Sequence, residues 1–207
     1  NKRNFRNQPL RIFRFPYLSQ NWKYMGYSDS LAYTFVLDQY HLRDEDIEIA
    51  PQKGDVVYDL GGYLGDTMLK FAIQVGPTGH VHSFDFFPAH VEILNRNMNL
   101  NPTLADRINI HPYGVGEKTS NINQPMAAGS QVFAGASLLE FDLNQPPIPI
   151  VSLDERIEGG HIQPPNFIKM DIEGSERKAL EGMEDILSAN NELKILGKEK
   201  IKEEVLD

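Results

Sequence analysis

The sequence predicts a three-layer α/β domain built on a mainly parallel central sheet, and three observations predict it. Buried-strand patterns alternate with helix-period patterns from Lys53 onward. One strand-to-helix junction is broken by glycines at Gly61, Gly62 and Gly65. Acids stand where successive strands end, at Asp59, Asp85 and Asp171. Parallel strands joined by right-handed crossovers carry their ends to one edge of the sheet, so these acids converge.

Taken in order, residues 1–52 read as a leading segment and helix that pack on the core, and residues 53–207 as the main domain. Lys2, Arg3, Arg6, Arg11 and Arg14 mix with Phe5, Phe13, Phe15, Tyr17, Trp22 and Tyr24. Such interleaving binds single-stranded nucleic acid in some proteins; the reading preferred here is a solvated basic tail whose aromatics dock on the core. Ser30 to Tyr40 has helical offsets, Asp44 to Ile49 is a short acidic connection, and Pro51 and Gly54 punctuate the next strand.

Gly54 to Thr67 is the stretch around which the rest is arranged. Val56, Val57 and Leu60 suit a strand covered on both faces, and Met68, Leu69, Phe71, Ala72 and Ile73 continue as a helix. Gly76 to Gly79 turns the chain into a second strand, His80 to Phe86. Pro88 suits a first helical turn, and the helix runs from Ala89 to Leu100. Ile108 to Val115 is a third strand. From Glu117 to Gln145 periodicity fails, as expected of a functional loop across the mouth of a site. Pro146 to Leu153 is extended and enters a helix at Val151 to Arg156. Phe167 to Ile172 is a fourth strand followed by a helix from Ser175 to Leu187. Leu193 to Leu196 is a fifth strand, and Lys198 to Leu206 a last amphipathic helix.

Composition narrows the function. The chain has 207 residues and a net charge of −9, which argues against wrapping nucleic acid or lying on anionic lipid. There is no cysteine, hence no disulfide framework, thiolate nucleophile or cysteine-bound zinc. A cytoplasmic location is expected, with no membrane span, since no apolar run reaches about 18 residues. The chain begins at Asn1, and the expectation is a segment of something longer.

The spacing Asp59-x-Gly61-x-x-x-Gly65 is neither the dinucleotide Gly-x-Gly-x-x-Gly nor the phosphate loop Gly-x-x-x-x-Gly-Lys-[Ser/Thr]. No lysine meets a phosphate there. An acid at the strand end suits an ammonium or hydroxyls and repels a pyrophosphate, which points toward S-adenosylmethionine. Asp85 lies roughly twenty residues beyond the glycines, where an acid takes ribose hydroxyls in mononucleotide-type folds; its bland alternative is a helix cap. Asp171 and Glu173 are two apart, so in extended chain both carboxylates face one side. There they orient a hydroxyl, act as general base, hold a divalent metal, or simply cap the next helix. Among the histidines, His80, His82 and His161 show no metal spacing, and His111 reads as structural before it reads as a base.

These residues also carry a family likeness. Val57-Tyr58-Asp59-Leu60-Gly61-Gly62-Tyr63-Leu64-Gly65, Ser83-Phe84-Asp85, Val151-Ser152-Leu153-Asp154 and Ile168-Lys169-Met170-Asp171-Ile172-Glu173-Gly174-Ser175-Glu176 resemble the FkbM-type methyltransferases. The likeness runs from about Lys53 to Leu187. It implies a Rossmann-like class I methyltransferase sandwich, S-adenosylmethionine as cofactor, and methylation of a hydroxyl on a sugar, glycan or natural product. It further implies that Asp59, Gly61, Gly62, Tyr63, Gly65, Asp66 and Thr67 surround the methionine end. Asp85 and Phe86 would meet the ribose and Gly114 and Val115 the adenine, while Asp171 and Glu173 would stand at the methyl-transfer centre, with any metal on the same two acids. The family has Ala-Asn where this chain has Gly62-Tyr63, and Glu-Pro where it has Asp85-Phe86. Residues 188–207 are too short for the antiparallel strand pair that closes class I folds, so a truncated domain is expected. Two other readings stand beside this one. One is a degenerate module that binds a partner without chemistry; the other is a nucleotide-sugar or NAD enzyme, which the glycine spacing disfavours.

Overall fold

The computed structural model describes residues 4–5, 8–44, 47–122 and 146–197. Strands β1 (Asn4–Phe5) and β2 (Gln8–Pro9) pair antiparallel, as do β3 (Arg11–Tyr17) and β4 (Gln20–Gly26). The leading segment is thus a hairpin as well as a set of docking aromatics. Its turn residues Leu18 and Ser19 both have positive φ, 46° and 63°, the backbone whose twist suits a two-residue hairpin. Neither is a turn-forming residue for that conformation, so no local signal marked it. Trp22 and Tyr24 of β4 are buried. Asn97 of helix Pro88–Leu100 and Asn101, the residue that caps it, bind the backbone of β4. Asn97 accepts from Met25 N–H (2.6 Å) and donates to Met25 O (2.9 Å); Asn101 accepts from Lys23 N–H (3.0 Å) and donates to Lys23 O (2.7 Å). Their amides satisfy backbone groups that a neighbouring strand would otherwise meet.

Helix α1 (Ser28–Phe35) stops short of the expected Tyr40. Asp38 adopts φ 56°, which a continuing helix forbids, and its carboxylate pairs with the buried ammonium of Lys70. Tyr40 is thereby released from the helix and buried. The acidic connection is itself a small antiparallel pair, β5 (Leu42–Asp44) with β6 (Ile47–Ile49).

After these come β7 (Val56–Leu60), α2 (Asp66–Val75), β8 (His80–Phe84), α3 (Pro88–Leu100) and β9 (Ile108–His111). Then follow β10 (Gly114–Val115), β11 (Ser120–Ile122), β12 (Ile148–Val151), β13 (Phe167–Met170) and β14 (Lys194–Gly197). The five-stranded sheet runs β14-β13-β7-β8-β9 with every pair parallel. On one face Val57, Val81 and Phe167 pack against Phe71 and Leu94 of α2 and α3. On the other, Tyr58, Leu60, Phe84, Ile168 and Met170 pack with residues of helices Leu153–Glu158, Glu176–Glu181 and Glu184–Ala189. Strand order reverses between β7 and β13, and the crevice beyond their carboxyl ends is where such sheets bind ligands.

Three expected elements differ. The third strand ends at His111: Pro112 has no N–H to give, and Tyr113 N–H folds back on His111 O at 2.9 Å. Gly114 and Val115 then join a second sheet, β10-β12-β11. In the stretch where periodicity failed, Ser120–Ile122 is a strand of that sheet; residues 123–145 lie outside the described residues. The helix expected over Ser175–Leu187 is two short ones parted at Gly182, where a Cβ would overlap the Gly116 carbonyl oxygen. Ser152 and Asp154 secure this joint. Ser152 Oγ donates to Gly182 O (3.0 Å), and the Asp154 carboxylate accepts from Asp185 and Ile186 N–H, each at 3.0 Å. The expected last helix, Lys198–Leu206, is likewise outside the described residues. Among the described residues no helix is long and apolar enough to cross a membrane.

Register places His82 of β8 beside Asn109 of β9, and Phe84 beside His111. His82 Nδ1 lies 2.8 Å from His111 Nε2, and His111 Nδ1 2.7 Å from the Tyr113 hydroxyl. Burial, with neighbouring positive groups second, lowers His82 from 6.5 to about 3 and His111 to about 4. Both are therefore neutral when folded and protonate on unfolding below pH 6.5. Stability is full above that pH and falls by about 1.4 kcal/mol per pH unit per histidine as the pH drops toward the folded values. His82→Phe is expected to halve the histidine share of this acid slope, read from urea melts at pH 4.5, 5.5 and 6.5.

Candidate functional site

β7 leaves the sheet at Gly61, with φ 85°, and reaches the amino end of α2 through Gly65, also at φ 85°. A Cβ on Gly61 would overlap the Asp171 carbonyl oxygen, and one on Gly62 would overlap Ser83 Oγ. Gly61 is thus set by the close approach of backbone and Gly62 by the Ser83 side chain. Tyr63 sits in the left-handed region at φ 46°, where a bulky residue is strained, with its ring edge-on to His90 at 4.9 Å. A cleft of about 780 Å³ opens over this turn, a size that suits a cofactor.

Register sets Asp59 between Ser83 of β8 and Lys169 of β13. Its carboxylate is fully buried and accepts from Ser83 Oγ (3.0 Å) and Thr67 Oγ1 (3.0 and 3.1 Å), with the Lys169 ammonium at 3.2 Å. Asp59 therefore ties the turn to its neighbours, while Gly61, Tyr63, Asp66 and Thr67 line the cleft. Lys169 also donates to Leu60 O (3.1 Å) and Gly61 O (2.6 Å) and lies 5.3 Å from the Tyr40 ring centroid.

Asp66 opens α2, accepts from Thr34 Oγ1, and is buried at the cleft wall. Desolvation raises its carboxyl to about 6, against the lowering pull of the Thr34 hydrogen bond. The folded state thus holds this proton more tightly than the unfolded chain, and stability falls as pH rises from 3.8 through about 6. Asp66→Asn removes the penalty and keeps an acceptor for Thr34. It is expected to raise unfolding free energy by up to ~3 kcal/mol at pH 7.5 and by little at pH 4, measured by urea melts. An unchanged melt at pH 7.5 would show that the ionised form is better solvated than its burial implies.

Asp85, just past β8, also lines the cleft. Its carboxylate accepts from Tyr63 N–H (2.9 Å), Phe87 N–H (3.0 Å) and His90 Nδ1 (2.9 and 3.1 Å). Phe86, Gly114 and Val115 continue the wall. Asp171 and Glu173 both reach the cleft, though not through strand alternation. β13 ends at Met170, and Glu173 turns in the left-handed region at φ 53°. Among the described residues no group of three or more His, Cys, Asp or Glu is placed to hold a metal ion. What the site offers is a crevice lined by six acids, Asp29, Asp66, Asp85, Glu117, Asp171 and Glu173, against three lysines, Lys118, Lys169 and Lys178, with the Lys169 ammonium held by buried Asp59. Such a balance favours a cationic ligand.

A family profile described as the methyltransferase FkbM domain matches residues 58–202. The chain belongs to the FkbM methyltransferase family. A curated relative is the hexuronic acid methyltransferase AglP of Haloferax volcanii, 26% identical over 145 residues, 68% of this chain and 54% of that protein. The chain thus spans about half the length of the curated relative it matches. Among solved structures, the FkbM methyltransferase from Methylobacillus flagellatus KT aligns at 24% identity and a TM-score of 0.47, over 72% of this chain and 32% of the other. The fibrillarin of Aeropyrum pernix, in complex with natively bound S-adenosyl-L-methionine, aligns at 16% identity and a TM-score of 0.43, covering 90% and 57%.

In this FkbM-family chain Lys169 and Tyr40 also line the cleft, and neither is singled out by the sequence reading. Lys169 carried a signal: a charged residue inside the buried run Phe167–Met170 needs partners. Tyr40 carried none. It lies outside the profile match, and its hydroxyl donates to Asp171 Oδ2 at 2.8 Å across 131 residues of chain.

Proposed function

We propose that this chain binds S-adenosylmethionine over the β7–α2 turn and transfers its methyl group to a hydroxyl of a sugar, glycan or natural product. The observation that carries the reading is the cleft's charge: six acids, Asp66 and Asp171 among them, line it against three lysines, and the buried one, Lys169, is already bound to Asp59 and two carbonyls. The bound group supplies a sulfonium-activated methyl, and its positive charge suits this surplus of carboxylates. In this reading the backbone at Gly61 to Gly65 admits the methionine end, with Asp66 and Thr67 beside it and Asp59 holding the turn in shape. Asp85 and Phe86 receive the ribose, and Gly114 and Val115 border the adenine. Asp171 or Glu173 takes the proton from the attacking hydroxyl, and the remaining contribution is alignment. The relative AglP, a hexuronic acid methyltransferase, supports a sugar acceptor.

One observation favours a second reading, a methyltransferase-like module that binds a partner without chemistry. Asp85 already serves three protein donors, which leaves a carboxylate of about four acceptor sites little capacity for a diol. Isothermal titration with S-adenosylhomocysteine separates the two. Micromolar binding, about −8 kcal/mol, supports the enzyme; a folded chain that binds nothing supports the module.

A further inference from the structure

We infer that Tyr40, from the segment ahead of the sheet, is a positioning residue that fixes the Asp171 carboxylate at the methyl-transfer centre. The inference rests on the reading of the cleft as a cofactor site. Tyr40 is 5% exposed and lines the cleft beside Asp171. Its hydroxyl donates to Asp171 Oδ2 at 2.8 Å, and its ring lies 5.3 Å from the Lys169 ammonium. One side chain therefore touches both charged residues of the Lys169-Met170-Asp171 run.

The chain around Tyr40 is braced independently of the cleft. Asp38 pairs with Lys70 of α2, and His41 Nδ1 meets Asp38 Oδ2 at 2.8 Å. His41 Nε2 meets Glu48 of β6 at 2.8 Å, and His41 N–H donates to Asp38 O at 3.0 Å. Burial first, then the carboxylates of Asp171, Asp59 and Asp66, push the Tyr40 hydroxyl far above its ordinary value of 10. It stays a donor across the working pH range. A neutral donor on a braced loop can hold a carboxylate's direction without cancelling its charge, which a lysine in that place would do.

The test needs no knowledge of the methyl acceptor. Sinefungin carries an ammonium where S-adenosylmethionine carries its methyl, so its affinity relative to S-adenosylhomocysteine reports a carboxylate aimed at that point. Titrating both ligands into wild type, Tyr40→Phe, Asp171→Asn and the double variant closes a thermodynamic cycle. Wild type is expected to prefer sinefungin by about tenfold or more, and Asp171→Asn to lose the preference while still binding S-adenosylhomocysteine. Tyr40→Phe keeps the charge but loosens its aim, and should cut the preference roughly three- to tenfold, with no further loss in the Asp171→Asn background. Equal losses in both backgrounds, or none in either, would overturn the role of Tyr40 and leave the cofactor site standing. Wild type that binds neither ligand overturns both. Should Tyr40→Phe not fold, Asp171→Glu moves the carboxylate by one carbon with its charge intact. The same three- to tenfold loss supports a fixed carboxylate, and full preference sinks it.

Discussion

On the proposed ribose role, Asp85→Ala is expected to weaken S-adenosylhomocysteine binding by roughly tenfold to a hundredfold, from the loss of a charge-assisted bond to the diol. The carboxylate has a second duty that shapes the experiment. Tyr63 N–H, Phe87 N–H and His90 Nδ1 all converge on it, and each donor left buried without a partner costs about 1–3 kcal/mol. The alanine variant should therefore also melt earlier, and calorimetry belongs at low temperature on protein shown folded by circular dichroism. Asp85→Asn separates the two effects. It keeps one acceptor oxygen for the backbone amides and removes the charge, so affinity should fall while most of the stability returns. A folded Asp85→Ala chain with undiminished affinity would mean that the carboxylate serves only the turn, and that the ribose is held elsewhere.

The same double duty explains what could be read from the sequence. The five strands of the main sheet, the glycine junction and Pro88 at the start of α3 are local signals, and each lies within a few residues of where it was expected. Asp85 and Asp171 are strand-end acids that the topology alone delivers to the cleft. Asp59 shows where local reading stops. As a strand-end acid it looks like a ligand group, but register sets Lys169 and Ser83 on either side of it, and α2 brings Thr67 over it. Strand register across β13, β7 and β8 is a property of three distant segments together. Tyr40 is the extreme case: its place follows from a helix that ends at Phe35 and a left-handed Asp38 beyond it, whose carboxylate pairs with Lys70 of another helix. The pairing of Asp171 with Glu173 was anticipated for a reason that does not hold, because a left-handed turn and not strand pleating brings Glu173 round.

Gly61→Ala carries the largest expected stability loss, and the reason lies in how β7 and β13 meet at the switch point. Gly61 N–H donates to Phe84 O at 3.0 Å and its carbonyl receives Lys169 Nζ at 2.6 Å, while Asp171 N–H donates to Leu60 O at 3.1 Å. A methyl group at Gly61 would overlap the Asp171 carbonyl oxygen. That neighbour is backbone, so no rotamer change relieves it; either the end of β13 withdraws or the turn re-forms. The φ of 85° adds its own penalty of about 1–2 kcal/mol for any residue with a Cβ. Together these should cost roughly 3–5 kcal/mol, about 10 °C in melting temperature for a chain of this size. Gly76→Ala is the control for backbone angle alone: φ 71° and ψ −168° place it in a region kept almost wholly to glycine, but nothing lies within 4 Å of the added carbon. It should lose only the conformational part, about 1–3 kcal/mol. Because withdrawal of β13 carries Asp171 with it, Gly61→Ala should also weaken S-adenosylhomocysteine binding at temperatures where it is folded, and Gly76→Ala should not. Equal melting of the two variants would show that the approach of β7 to β13 relaxes at little cost, and that the glycine answers to its backbone angle alone.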